Sequence, residues 1–294
     1  QLYSAHLSCP GIIQLLAKQK SVDNLFSSEI LDNNTTLQQH SESNPIGVLL
    51  ETTTLQVMCE TQYTLALRLF FISTLLNQLA SKSEHDIQNK RVSKICRISE
   101  KSLHQQFSNI QKQIQQNKLK VNKKMAGTYW QLVFRFCRAF NENELKSRIE
   151  QSATYQMLLK LNQPNQKLSD QDYLKYYQLI NKLQRGIPKK LTNEVDAVLT
   201  PVMQVKFKNH GFPWYLYKNS LELTYLDCVI PYSQMNMVLW LLYESEQKIT
   251  EQDIITVIYK VEKTVAHNTL ILDQLEHQPE LLQIASYSAC WLGG

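Results

Sequence analysis

The sequence predicts an all-α protein, an irregular multi-helix bundle of about ten helices of ordinary globular length. Three observations carry this. The 294 residues contain only 7 Gly and 8 Pro, too few turn formers for a sheet protein of this size. The long Gly-free stretches are rich in Leu, Gln, Lys and Glu, which are good helix formers. Apolar residues recur at helical spacing in segment after segment. Hydrophobic residues make up 43% of the chain, enough for a sizeable core in one domain or two modest ones.

Taken in order, Leu2–Lys20 reads as a helix introduced by Ser8 and Pro10, a good cap and a residue tolerated in a first turn. Asp32–Asn44 is rich in Asn, Ser and Thr and ends at Pro45, so it reads as a loop. The simplest organisation is a single helical domain over 1–294, or a fragment of a larger enzyme, with a subdomain break around 32–54. Thr61–Ser81 is a strong helix. Leu65, Leu69, Ile72, Leu76 and Leu79 form one stripe, while Leu67, Phe70, Phe71 and Leu75 fill other faces, so it should lie centrally. Arg68 is the lone cation within it. It is read with its stem buried and its head in water at the helix edge, the alternative being a buried functional cation.

Ser99–Gln116 presents Leu103, Phe107, Ile110 and Ile114, a narrow seam suited to one partner helix. Thr128–Phe140 carries seven large apolar or aromatic residues and reads as a second buried helix. Ser169 with Asp172 is a start resembling a capping box, with Asp in place of Glu or Gln. Tyr173, Tyr176 and Tyr177 follow and are read as core rather than as a methyl-lysine cage. Gly186 and Pro188 close that helix. Met235, Val238, Leu239 and Leu242 mark another helix. Thr250 and Asp253 repeat the start signal before a stripe of Ile254, Ile258, Val261, Val265 and Leu272. No repeat of fixed period supports a solenoid.

The chain opens on Gln1, without a basic-then-apolar leader, so it is read as a piece of a longer chain. The uncharged stretch Cys228–Tyr243 contains Pro231, Gln234 and Asn236 and falls short of the ~20 apolar residues a membrane span needs. The six cysteines are scattered, without a CxxC, and are read as reduced, buried and small. That usage points to a cytoplasmic location.

Charge is uneven. Net charge is +5 overall, but residues 82–124 hold eleven Lys/Arg against Glu84, Asp86 and Glu100, a surplus of 8. Residues 219–294 hold ten acids against three lysines. One reading is a pair of solvated faces. The other is that the basic stretch, with Lys90, Arg91, Lys94 and Arg97 at its centre, docks an acidic protein or an anionic membrane surface. Nucleic acid is not expected, because the basic stretch has Phe107 but no Tyr or Trp among its charges and stacking platforms are missing.

No phosphate loop, zincin or hydrolase motif occurs, and the strand–glycine–helix signature of a Rossmann-type methyltransferase is missing. The catalytic residues are therefore unknown from motif alone. His267 draws notice beside Asn268. Counted from Ile254 at about 100° per residue, Asn268 falls in the apolar stripe and His267 opposite it, near Lys260 and Lys263. His267 is read first as a surface histidine and second as a proton-transfer group. Glu262 is read as a solvated acid.

Four phrases in order carry a resemblance. Ser4–Leu16 contains Leu-Ser-Cys-Pro running into a helix. Thr61–Leu79 is a Leu/Arg-rich helix. Val205–Pro213 reads VKFKNHGFP. Ile254–Leu272 carries Glu262, His267 and Asn268. Together they resemble the C-terminal helical portion of the flagellin lysine N-methylase family (FliB-type). The resemblance implies a protein-lysine N-methyltransferase acting on flagellin ε-amines. It also implies S-adenosylmethionine as methyl donor and an iron–sulfur cluster held by a cysteine-rich motif that this chain lacks. Cys9 is then the one thiol here that could approach such a cluster. In that reading the chain serves as scaffold and substrate docking, binds flagellin, associates peripherally with the membrane, and alone carries no cofactor and is inactive. The alternative is a non-catalytic helical module binding an acidic partner or an anionic membrane surface.

Overall fold

The computed structural model describes residues 45–80, 100–116, 121–138, 143–163, 168–209, 212 and 221–265, together with 13, 14 and 17. Among these residues there are ten helices and no strand, the all-α architecture that the sequence predicts. They are α1 (Pro45–Cys59), α2 (Leu65–Ala80), α3 (Glu100–Gln115), α4 (Lys123–Cys137), α5 (Asn143–Ile149), α6 (Ala153–Leu161), α7 (Asp170–Arg185), α8 (Lys189–Asn209), α9 (Leu221–Glu246) and α10 (Glu251–Val265).

Helix α9 is the axis of the molecule. Every residue from Cys228 to Leu239 is buried, and the helix packs against α2, α4, α5, α6, α7, α8 and α10. That accounts for a stretch free of charge yet studded with Pro231, Ser233, Gln234 and Asn236. Its environment is protein on all sides, where polar side chains can find partners. Ser233 Oγ meets Tyr129 Oη at 2.6 Å, and Asn236 Nδ2 donates to Tyr232 O at 3.0 Å. Among the described residues no helix is long and apolar enough to cross a membrane.

Several elements form for the reasons the sequence supplies. Ser169 Oγ accepts from Asp172 N while Asp172 Oδ2 accepts from Ser169 N, a complete capping box at the start of α7. Thr250 and Asp253 make the same reciprocal pair at α10. The α3 seam buries Leu103 and Phe107, and the Phe107 ring stacks on Tyr63 and Phe71 at 4.1 and 4.7 Å. Tyr176 and Tyr177 are core residues and Tyr173 is half-buried, as read from the sequence.

Others differ. Helix α2 begins at Leu65, with Thr61–Tyr63 forming a turn. Helix α4 begins at Lys123 rather than Thr128 and carries Gly127 in its interior. A Cβ on Gly127 would stand 1.8 Å from Tyr173 O, so the glycine lets α4 and α7 pack backbone to backbone. Residues 45–54 form most of α1, which packs against α2 and α8. The polar stretch 32–44 lies outside the described residues.

Candidate functional site

Two of the segments singled out in the sequence meet in the fold. Lys206, in the last turns of α8, and Glu262, on α10, are 2% and 6% exposed. The Lys206 ammonium donates to both Glu262 carboxylate oxygens, at 3.1 and 2.9 Å. Glu262 is therefore not the solvated acid that the sequence suggested. Desolvating a carboxylate is tolerable where a cation meets it with two charge-assisted hydrogen bonds. One residue further on, Phe207 packs edge-on against Phe212, and both rings pack against Tyr225 of α9. The Lys-Phe-Lys-Asn phrase thus pins α8 to α10 by charge and to α9 by aromatic contact.

A second polar centre lies where α2 and α8 cross under α9. Arg68 is 2% exposed, so its guanidinium is not in water at a helix edge. Its Nη1 donates to Met58 O and its Nη2 to Thr200 Oγ1 at 2.7 Å. Its Nε has no hydrogen-bond partner among the described residues. Partners on α1 and α8 replace the water that the snorkelling reading supplied. Burial lowers the Arg68 pKa, while the charge of Asp196 opposes that shift.

Asp196 is the acid of this centre. Its Oδ2 accepts the amide of Leu65, the first residue of α2, at 2.9 Å, and so caps that helix from a distant part of the chain. Desolvation pushes its pKa up to about 6, against the opposing effects of the Leu65 hydrogen bond and the Arg68 charge. The Tyr232 phenol is held well above its usual range, first by burial and then by the charge of Asp196. Asp196, Tyr232 and Asn236 line a cleft of about 330 Å3 walled by apolar residues and Trp240, with Arg185 and Lys189 also on its lining. A titratable group shifted by burial inside a cleft is a functional-site signature.

Of the residues proposed from sequence, Cys9, His267, Lys90, Arg91, Lys94 and Arg97 lie outside the described residues. Among the described thiols, Cys59 is exposed while Cys137 and Cys228 are fully buried, and burial pushes the latter two thiols up. Among the described residues no group of three or more His, Cys, Asp or Glu is placed to hold a metal ion.

The profile of the FliB lysine N-methylase C-terminal domain family matches residues 51–286. The chain belongs to this family. The match takes in α1 through α10 except the first turns of α1, and so includes both polar centres. No curated protein and no solved structure matches the chain. Asp196 and its cleft were missed by sequence reasoning. The available signal was an acid between Val195 and Val198, close to the inward face of a helix whose Val198, Leu199 and Val202 are core.

Proposed function

We propose that this chain is the helical portion of a protein-lysine N-methyltransferase that methylates ε-amines of flagellin, where it serves as scaffold and docks the substrate. The observation that carries the reading is membership of the FliB lysine N-methylase C-terminal domain family across residues 51–286. The buried Lys206–Glu262 pair supports it, because it joins two segments whose resemblance to that family was apparent from sequence. The methyl donor in this reading is S-adenosylmethionine, and the redox centre belongs to a cysteine-rich segment outside this chain.

Deleting the gene region that encodes these 294 residues, in cells that also make flagellin, tests the reading. Mass spectrometry of purified flagellin should then show its methylated lysines lost. They should return on complementation with the intact gene. Flagellin with unchanged lysine methylation would overturn the proposal and favour a helical module that binds an acidic partner without methylating it.

A further inference from the structure

We infer that the cleft between α2, α8 and α9 receives a lysine side chain of a protein substrate, with the Asp196 carboxylate as the acceptor for its ε-ammonium. The inference deepens the methylase reading and rests on it for the identity of the amine. Its geometry stands independently.

The floor is built for a small cation with an aliphatic stem. Asp196 is 8% exposed and lines the cleft. Its Oδ2 is committed to the Leu65 amide, and Oδ1 takes no hydrogen bond from the described residues. Arg68 hydrogen-bonds Met58 O and Thr200 Oγ1, so its charge reaches Asp196 through space and not by direct contact. A carboxylate this desolvated gains when a cation makes direct contact, since the distant Arg68 charge only partly offsets its burial. Asn236 adds a second polar group on the lining. Trp240 and Tyr232 place aromatic side chains on the lining, a residue type that attracts an ammonium. Ala66, Leu239 and Ile249 provide apolar wall for the methylene stem.

Arg185 and Lys189 set the sequence preference. Both are exposed cations on the lining of the same cleft. A lysine enters at least cost when its neighbours in the peptide are acidic and meet these two charges. The ligand class is therefore a lysine flanked by Asp or Glu.

Fluorescence anisotropy of a labelled Glu-Glu-Lys-Glu-Glu peptide, titrated with the purified chain, tests this. A matched peptide with norleucine in place of lysine is the control. The lysine peptide should bind saturably and at least tenfold more tightly than the norleucine peptide. Asp196→Asn keeps an acceptor for the Leu65 amide and should abolish the discrimination. Ala66→Leu, which narrows the cleft and leaves the Asp196 carboxylate unaltered in sequence, should do the same and covers the case in which Asp196→Asn fails to fold. Equal binding of the two peptides to the unaltered chain overturns the inference. So does unaltered lysine preference in both variants at unchanged melting temperature. If that happens while flagellin methylation still depends on the gene, the cleft assignment fails and the methylase reading stands. If the lysine preference holds and flagellin methylation does not depend on the gene, the methylase reading fails and the cleft is a lysine site of another purpose.

Discussion

At the scale of single residues, two buried ions depart from what their neighbours in sequence suggest. Arg68 lies in a run of Leu and Phe, where a lone cation ordinarily snorkels to water. Its burial depends on Thr200, 132 positions away in the chain, and no local pattern announces that. Glu262, read as a solvated acid, is buried, although its position in the helix carried a signal against that reading. At about 100° per residue it falls between Ile258 and Ile255 on the helical wheel, inside the apolar arc of α10. An acid at that angle calls for a buried cation, and Lys206 is the one. The pair makes a strong prediction. Removing one partner of a buried ion pair leaves an uncompensated charge, at a cost of about 3–5 kcal/mol. Glu262→Gln and Lys206→Met should each destabilise the protein by about that amount in urea denaturation. The double replacement Lys206→Met with Glu262→Leu should recover most of the loss, because no charge remains buried. Additive losses in the double variant would show that the two residues act separately.

At the scale of elements, legibility follows the cleanness of the stripe. Helices α2, α3, α7 and α10 have an apolar face or capping signals that stand alone, and the sequence locates them to within a few residues. Helices α1 and α8 do not. Thr53 and Thr54 interrupt the buried face of α1, and Asp196, Thr200 and Lys206 interrupt that of α8, which also contains Pro201. Polar residues satisfied by distant partners erase the periodicity from which helices are read. Helix α9 is hidden in the opposite way, since burial on every side leaves no polar face to contrast with. Helix α4 shows a third case, in which the first turn, with Gly127, falls before the stretch that reads as helix, and Gly127 is a point of contact. Alanine there would improve intrinsic helix propensity by about 1 kcal/mol. Its methyl would overlap the Tyr173 carbonyl, and backbone cannot rotate aside as a side chain would. Overpacking of this kind costs about 1–3 kcal/mol and occasionally more. Gly127→Ala should therefore lower stability by about 2 kcal/mol or more, visible as a lower midpoint in urea with helix content retained below it. A rise in the midpoint would mean that α4 and α7 do not pack at this point.

At the scale of the molecule, kinship was readable from short phrases, three of which lie within the family match over 51–286, while the cleft was not. The phrases are local strings. The cleft is assembled from α2, α7, α8, α9 and the segment before α10, and its acid is marked only by tertiary burial. The charge distribution is likewise a property of the whole chain that no single helix reveals. Residues 82–124 carry a surplus of 8 positive charges in a chain whose total is +5. If this stretch docks flagellin or an anionic membrane, the attraction acts between exposed charges and weakens with salt, because the screening length is about 8 Å at physiological ionic strength. Replacing Lys90, Arg91, Lys94 and Arg97 together with Glu should slow association with flagellin and flatten its salt dependence. Stability should change little, since substitutions of surface charge usually stay within about 0.5 kcal/mol. The competing arrangement has the basic stretch paired with the acidic region 219–294 inside the molecule. Reversal would then lower the melting temperature and leave association untouched. Stopped-flow association of the variant with flagellin at low salt, set beside its melting curve, separates the two. A slower association at an unchanged melting temperature supports docking through this stretch, and unchanged association at low salt rules it out.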